Sequence, residues 1–439
     1  MRHIVRTLVV CLIAFTALAM AFQPWFKELA LGGIGPFTLY PFDALLLASA
    51  GMLLYAISLR PPIDPYSRNR VVLRLVGAYL AYQVGVVATV AFLAYHRSSG
   101  EIFLGLDARL ALLFIPFFYY LGLRYFTAAT LVALVNVAAG LLLLYALYRY
   151  VVIGPQGYWD GSEYRLRVLW GGSTLLFGWM AVTGLFLEKP GLRAYAVALA
   201  GILGIALENH RSGYMALVLA LAYQTLSTLR IGKRVVLVAC ALVIVWASLS
   251  TVSPALRASA SYSLRTMFNP HADVTASDRV QRSALAWHYV VAHPLGDYVW
   301  THTLYLVDLG TDGFEPHNFV IQTLDKQGVV VAGLIFALIV YVMVIGWSIR
   351  RRSRLAGAMT AYLVFYLAFC LFNTNFDSVE NVTLFALAVA LVLYANKDSR
   401  PLEASAAPYA SLPIRTPAGA RVAHGEPLGP GETQVGSGI

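Results

Sequence analysis

Long apolar runs separated by short polar connections dominate this chain. A membrane-spanning helix needs about 20 mainly apolar residues. Twelve runs approach or meet that need, at 4–22, 38–58, 71–95, 109–123, 126–149, 168–187, 192–208, 212–229, 235–252, 329–348, 356–373 and 380–395. The pattern predicts an all-α polytopic membrane protein, with nine spans in residues 1–252 and three in 329–395. The fourth run is short and holds Pro116, which predicts a kinked or re-entrant segment. Met1–Ala21 has the basic start, apolar centre and Ala-Met-Ala ending of a signal peptide, and is read as an uncleaved first span.

Residues 253–328 break the pattern and predict a helical outer loop. Within it Ser277 and Asp278 are expected to cap a helix that runs to about Ala292, where His293-Pro294 stops it. Asn318–Gln327 reads as a helix lying along the outer interface, ended at Gly328, so that the tenth span begins at Val329. Residues 396–439 are rich in Pro, Gly, Ala and Ser and are expected to form a disordered tail.

Composition agrees with the pattern. The chain is 59% hydrophobic and 12% charged, where soluble domains are about 25% charged. It has no Walker loop, dinucleotide fingerprint or CxxC pair, and Cys11, Cys240 and Cys370 lie in apolar runs. No cofactor, metal or nucleic-acid partner is expected. Placing the N-terminus in the cytoplasm puts 20 of the 32 Lys and Arg on that side and 11 on the other, leaving Lys326. That bias predicts cytoplasmic termini and an outward-facing loop.

Polar chemistry gathers in the outward segments. Arg165 and Arg167 close the 150–167 connection; their alternative role is anchoring to lipid phosphates. Glu208-Asn209-His210-Arg211-Ser212-Gly213 packs polar groups into one tight turn, costly at membrane depth unless they pair or line a wet cavity. A Glu208–Arg211 ion pair is the structural reading and a phosphate-ready guanidinium the functional one. Arg279 and Arg282 are neighbours three apart on the loop helix, with a planar fork that suits phosphate oxygens; Arg265 and Arg257 are weaker candidates upstream. His317 follows Pro316 and suits a general base. Asp43, Asn373, Asn375 and Asp377 read chiefly as hydrogen-bonding groups inside the bundle.

Asp278-Arg279, Trp287, His293-Pro294-Leu295-Gly296, His317-Asn318-Phe319-Val320-Ile321-Gln322 and Gly328 resemble the O-antigen ligase and polymerase superfamily, and Arg211-Ser212-Gly213 is similar to its short RS(G) turn. Asp297 departs from the Gly-rich step many members have there. The motifs cover about residues 208–333, and the twelve-span plan extends the likeness to most of the chain. The resemblance implies a multi-spanning, GT-C-like glycosyltransferase in the bacterial inner membrane, metal-independent and inverting. Its donor is a glycan on undecaprenyl diphosphate, and the ligase's acceptor is a sugar hydroxyl of lipid A–core. His317 and Arg211 are then the expected catalytic residues; Arg279, Arg282, Arg265, Arg165, Arg167, Asn318 and Tyr214 the expected donor contacts. Twelve spans and one dominant outer loop favour ligase over polymerase or a related oligosaccharyltransferase. A transporter or flippase of a lipid-linked anion is the alternative of another class; it predicts polar residues at mid-depth and half-to-half symmetry.

Overall fold

The computed structural model describes residues 1–22, 31–34, 37–59, 67–93, 110–153, 156–160, 163–169, 172–189, 191–228, 240, 261, 274–292, 294, 318–373 and 378–398. Apart from Cys240, the expected ninth span at 235–252 lies outside them, as do 295–317 of the outer loop and 399–439 of the tail.

The described helices are α1 (Arg2–Ala21), α2 (Pro41–Leu59), α3 (Ser67–Leu93), α4 (Ala111–Tyr125), α5 (Ala128–Tyr148), α6 (Ser173–Val182), α7 (Leu192–Glu208), α8 (Arg211–Thr228), α9 (Val274–Ala292), α10 (Phe319–Ile349), α11 (Arg354–Cys370) and α12 (Val379–Asp398). Five described helices are long and apolar enough to cross a membrane: α1, α2, Ala128–Ile153, Gln327–Ile349 and α12. Shorter apolar helices occur at Ala111–Tyr125, Ser173–Leu187 and Arg354–Cys370. The protein is a helical membrane protein.

Local chemistry sets the helix boundaries. Thr127 caps α5 by accepting from Thr130 N at 3.1 Å, and Ser353 caps α11 by accepting from Ala356 N at 3.2 Å. In α4, Pro116 sits in a helical turn between a 3₁₀ start and the π-turn Phe118–Gly122. Proline has no N–H to give the ladder, so the irregularity falls where the sequence places it. Helix α10 breaks at Gly328, whose φ of 76° and ψ of 171° suit a residue without Cβ. The segment before the break is more enclosed than an interfacial helix: Gln322, Thr323 and Asp325 are buried.

Several boundaries differ from expectation. Helix α9 begins at Val274, so Ser277 and Asp278 lie inside it and do not cap it. The tail does not start at Asn396. Helix α12 runs to Asp398, because Asn396 is buried and its Nδ2 donates to Asn69 Oδ1 at 2.7 Å. Two short antiparallel hairpins occupy the connections: β1 (Gly32–Ile34) with β2 (Phe37–Leu39), and β3 (Gln156–Asp160) with β4 (Glu163–Arg167). The second has a physical basis in the β-favouring Tyr158-Trp159 and Tyr164 on either side of Gly161-Ser162.

Helix α12 is the axis of the bundle. Of its apolar window 94% is buried, as expected of a helix hydrophobic all round. Helices α1, α4, α10 and α11 pack on it. Helices α6 and α7 approach through small residues: a Cβ on Gly201 would lie 2.4 Å from Ala181 N.

Cross-helix bonds sort the helix ends into two layers. At one end Arg6 bonds Tyr125 O, Arg68 Nη1 donates to Ser348 Oγ at 3.1 Å, and Asn69 Nδ2 donates to Tyr119 OH and Leu393 O. That end therefore gathers the starts of α1, α3 and α11 and the ends of α4, α10 and α12. The opposite end gathers the starts of α6, α8, α10 and α12 and the ends of α7 and α11.

Candidate functional site

The opposite end is built around the turn between α7 and α8. Asn209 closes α7 with φ 48° and ψ 40°, the left-handed conformation asparagine tolerates best after glycine. This reversal leaves no loop, so Glu208, Asn209, His210 and Ser212 are all buried while Arg211 is half-buried. Gly213 admits the close approach of α6, since a Cβ there would meet Thr174 Cγ2 at 2.8 Å.

A hydrogen-bond chain holds the turn. Asn373 Nδ2 donates to Phe369 O and to Ser212 Oγ, both at 2.8 Å. Ser212 Oγ lies 2.9 Å from His210 Nδ1. Phe369 O can only accept, which identifies the Asn373 nitrogen. Ser212 Oγ accepts from that nitrogen and keeps a second lone pair and its own proton, so the direction of its bond to His210 Nδ1 follows the imidazole tautomer. The imidazole also meets the Phe369 ring edge-on at 5.3 Å.

Helix α10 enters the same end. Asn318 Oδ1 accepts from Val320 N at 2.9 Å and Ile321 N at 3.3 Å, an N-cap for α10. At the break, Val329 N donates to Pro294 O at 2.8 Å, tying the end of α9 to Gly328. Gln327 Oε1 accepts from Gln83 Nε2 at 3.0 Å, linking α10 to α3. Arg282 is half-buried on α9.

The remaining expected residues divide plainly. Tyr214 OH donates to Ala206 O at 3.4 Å, across the turn. Arg279 belongs to α9, and Arg165 and Arg167 to β4, paired in register with Tyr158 and Gln156. His317, Arg265 and Arg257 lie outside the described residues, as do Asn375 and Asp377. Asn373 hydrogen-bonds within the bundle, as read from sequence. Asp43 Oδ2 accepts from Tyr40 N at 2.8 Å at the start of α2.

Other polar groups at this end carry weaker sequence signals. Glu380 and Asn381 open α12 fully enclosed, and among the described residues neither amide atom of Asn381 has a hydrogen-bond partner. Thr174 Oγ1, also buried, lacks one too. Asn381 Oδ1 stands 3.2 Å from where a Gly172 Cβ would be. The only sign of these in the chain is a polar residue interrupting an apolar run. Among the described residues no group of His, Cys, Asp or Glu is arranged to hold a metal ion.

No family model matches the chain, and no curated protein matches it. The geometry stands by itself. It offers a half-buried guanidinium, a buried imidazole bonded to Ser212 and further buried polar side chains at one end of an apolar bundle.

Proposed function

We propose that the protein is a membrane glycosyltransferase of the O-antigen ligase type. The observation that carries this reading is that the Arg211 turn, the Asn318-capped start of α10 and the α9–α10 tie belong to the same end of the bundle. Three segments far apart in sequence, each bearing part of the family-like motif set, thus come to the same layer. The reading includes twelve spans, cytoplasmic termini, and an active site at the periplasmic face of a bacterial inner membrane.

In the proposed reaction the acceptor hydroxyl oxygen of lipid A–core forms a bond to the anomeric carbon of the donor glycan. The anomeric C–O bond to undecaprenyl diphosphate breaks, and the diphosphate leaves with the electron pair. His317 takes the hydroxyl proton. Arg211, Arg279 and Arg282, with Arg265, Arg165 and Arg167, face the charge that develops on the leaving group. Asn318 and Tyr214 belong to the same substrate surface. A preorganised donor of this kind contributes about 3–4 kcal/mol to a transition state.

The test is transfer in detergent with purified protein, a lipid-diphosphate-linked glycan and lipid A–core, with no membrane gradient. His317→Ala and Arg211→Ala should each abolish measurable ligation while the protein stays folded. Near-wild-type rates in both would overturn the assignment. Transfer to a second lipid-linked repeat instead of to core would identify a polymerase. Absence of any transfer, with carrier movement across vesicles, would identify a transporter.

A further inference from the structure

The end of the bundle remote from the Arg211 turn carries a second feature. Arg68 lies in the first turn of α3 and reaches Ser348 at the end of α10. Ser353 N donates to Ile349 O at 3.0 Å, which brings the start of α11 to the same place. Arg68, Arg351, Arg352 and Arg354 are all exposed there, and none forms an ion pair with a described residue. Neither α3 nor α11 has an acidic residue in its first turn, so arginines stand at two helix starts where the backbone dipole favours anions. Repulsion among the arginines and this dipole both call for a negative partner.

What lies beneath the arginines says which partner. Val340, Val344 and Trp347 form an exposed stripe on α10, at 61%, 55% and 43% accessibility. Their four- and three-residue spacing puts them on one helix face that leads towards Arg351. Arg350 stacks over the Trp347 ring and bonds its carbonyl, and Tyr223 of α8 meets that ring edge-on at 5.5 Å. An apolar track ending in an aromatic ring and then in guanidinium groups matches a molecule with an acyl chain and an anionic head.

We propose that this surface binds an anionic phospholipid, its phosphate among Arg68, Arg351 and Arg352 and one acyl chain along Val340, Val344 and Trp347. A soluble phosphate fits the arginines but leaves the track uncovered, so the lipid is the occupant. The site is separate from the proposed glycosyl-transfer site and does not depend on it. Arg70 and Arg74 supply an internal control. They are exposed on α3 with the same charge, but lie opposite its packed face of Asn69, Val72 and Val76.

The experiment is native mass spectrometry of the delipidated full chain, titrated with phosphatidylglycerol, phosphatidylcholine of the same acyl chains, or inorganic phosphate. Phosphatidylglycerol should bind saturably and the other two should not. Arg68→Gln, Arg351→Gln and Arg352→Gln together should weaken it on the order of 100-fold, from about fivefold per basic group. Arg70→Gln with Arg74→Gln should change it less than about threefold. Val344→Asp should weaken it with every arginine intact. Equal loss in the two arginine sets, or equal binding of phosphatidylcholine, overturns the site and leaves only general surface charge. Binding of inorganic phosphate in competition with phosphatidylglycerol, unaffected by Val344→Asp, would show an anion site without the lipid track. A melting temperature within the wild-type range qualifies each variant for the comparison.

Discussion

Val329 donates its backbone N–H to the carbonyl of Pro294 at 2.8 Å. The donor is available because Gly328 turns the chain out of helical geometry one residue earlier. The acceptor is available because the chain has just left α9. One hydrogen bond thus fixes the exit of α9 against the entry of the apolar part of α10.

Gly328→Ala should destabilise the protein by about 1–3 kcal/mol, the range for a side chain forced into a region nearly reserved for glycine. Gly333→Ala is the control, since a Cβ there meets nothing within 4 Å and alanine favours helix. Melting in detergent should separate the two. Equal stability of both variants would mean the break relaxes without cost.

Ser212→Ala removes the middle of the Asn373–Ser212–His210 chain and should cost about 1–3 kcal/mol, since buried partners are left unmade. Asn373→Ala should cost a similar amount. The double variant should lose less than the sum, because both substitutions break one chain. Nitrogen NMR of labelled His210 should show one preferred tautomer, and a change in that preference in Ser212→Ala.

Arg211→Lys keeps the charge of the turn but not the planar fork. In the transfer assay it should slow the reaction about 10²–10³-fold, the loss seen when one aimed donor is removed.

Treatment with EDTA should leave transfer unchanged if arginines alone meet the leaving charge. Loss of activity with EDTA, and recovery on adding a divalent ion, would add a metal to the mechanism.

Truncation after residue 399 should leave the melting temperature unaltered. Truncation before Asn396 should lower it, because the bond to Asn69 Oδ1 joins the start of α3 to the end of α12. Asn396→Ala should reproduce most of that loss, about 1 kcal/mol or more.

Apolar length places most helices before any coordinates are seen. The run read at 192–208 is the helix Leu192–Glu208, and Pro116 marks the irregular helix. Asn318 and Gly328 likewise bracket the segment that the sequence assigns them, because asparagine favours a cap and glycine a positive φ. The start of α9 is not readable, since Ser and Asp are at home both in a cap and in a first turn. Nor are the bonds from Asn69 to Asn396 and from Asn373 to Ser212. They join positions 327 and 161 residues apart, and apolar periodicity carries no information about which polar interruptions face each other. The hairpin at 156–167 was hidden by its short strands inside a connection between spans.

Helix α12 comes last among the described helices, and yet α1, α4, α10 and α11 all pack on it. During synthesis α1, α4, α10 and α11 enter the bilayer before their common neighbour exists. Until it arrives, their inward faces must rest on lipid or on one another. Closure of the whole bundle is thus deferred to the insertion of a single late element, which makes that step a natural point of quality control.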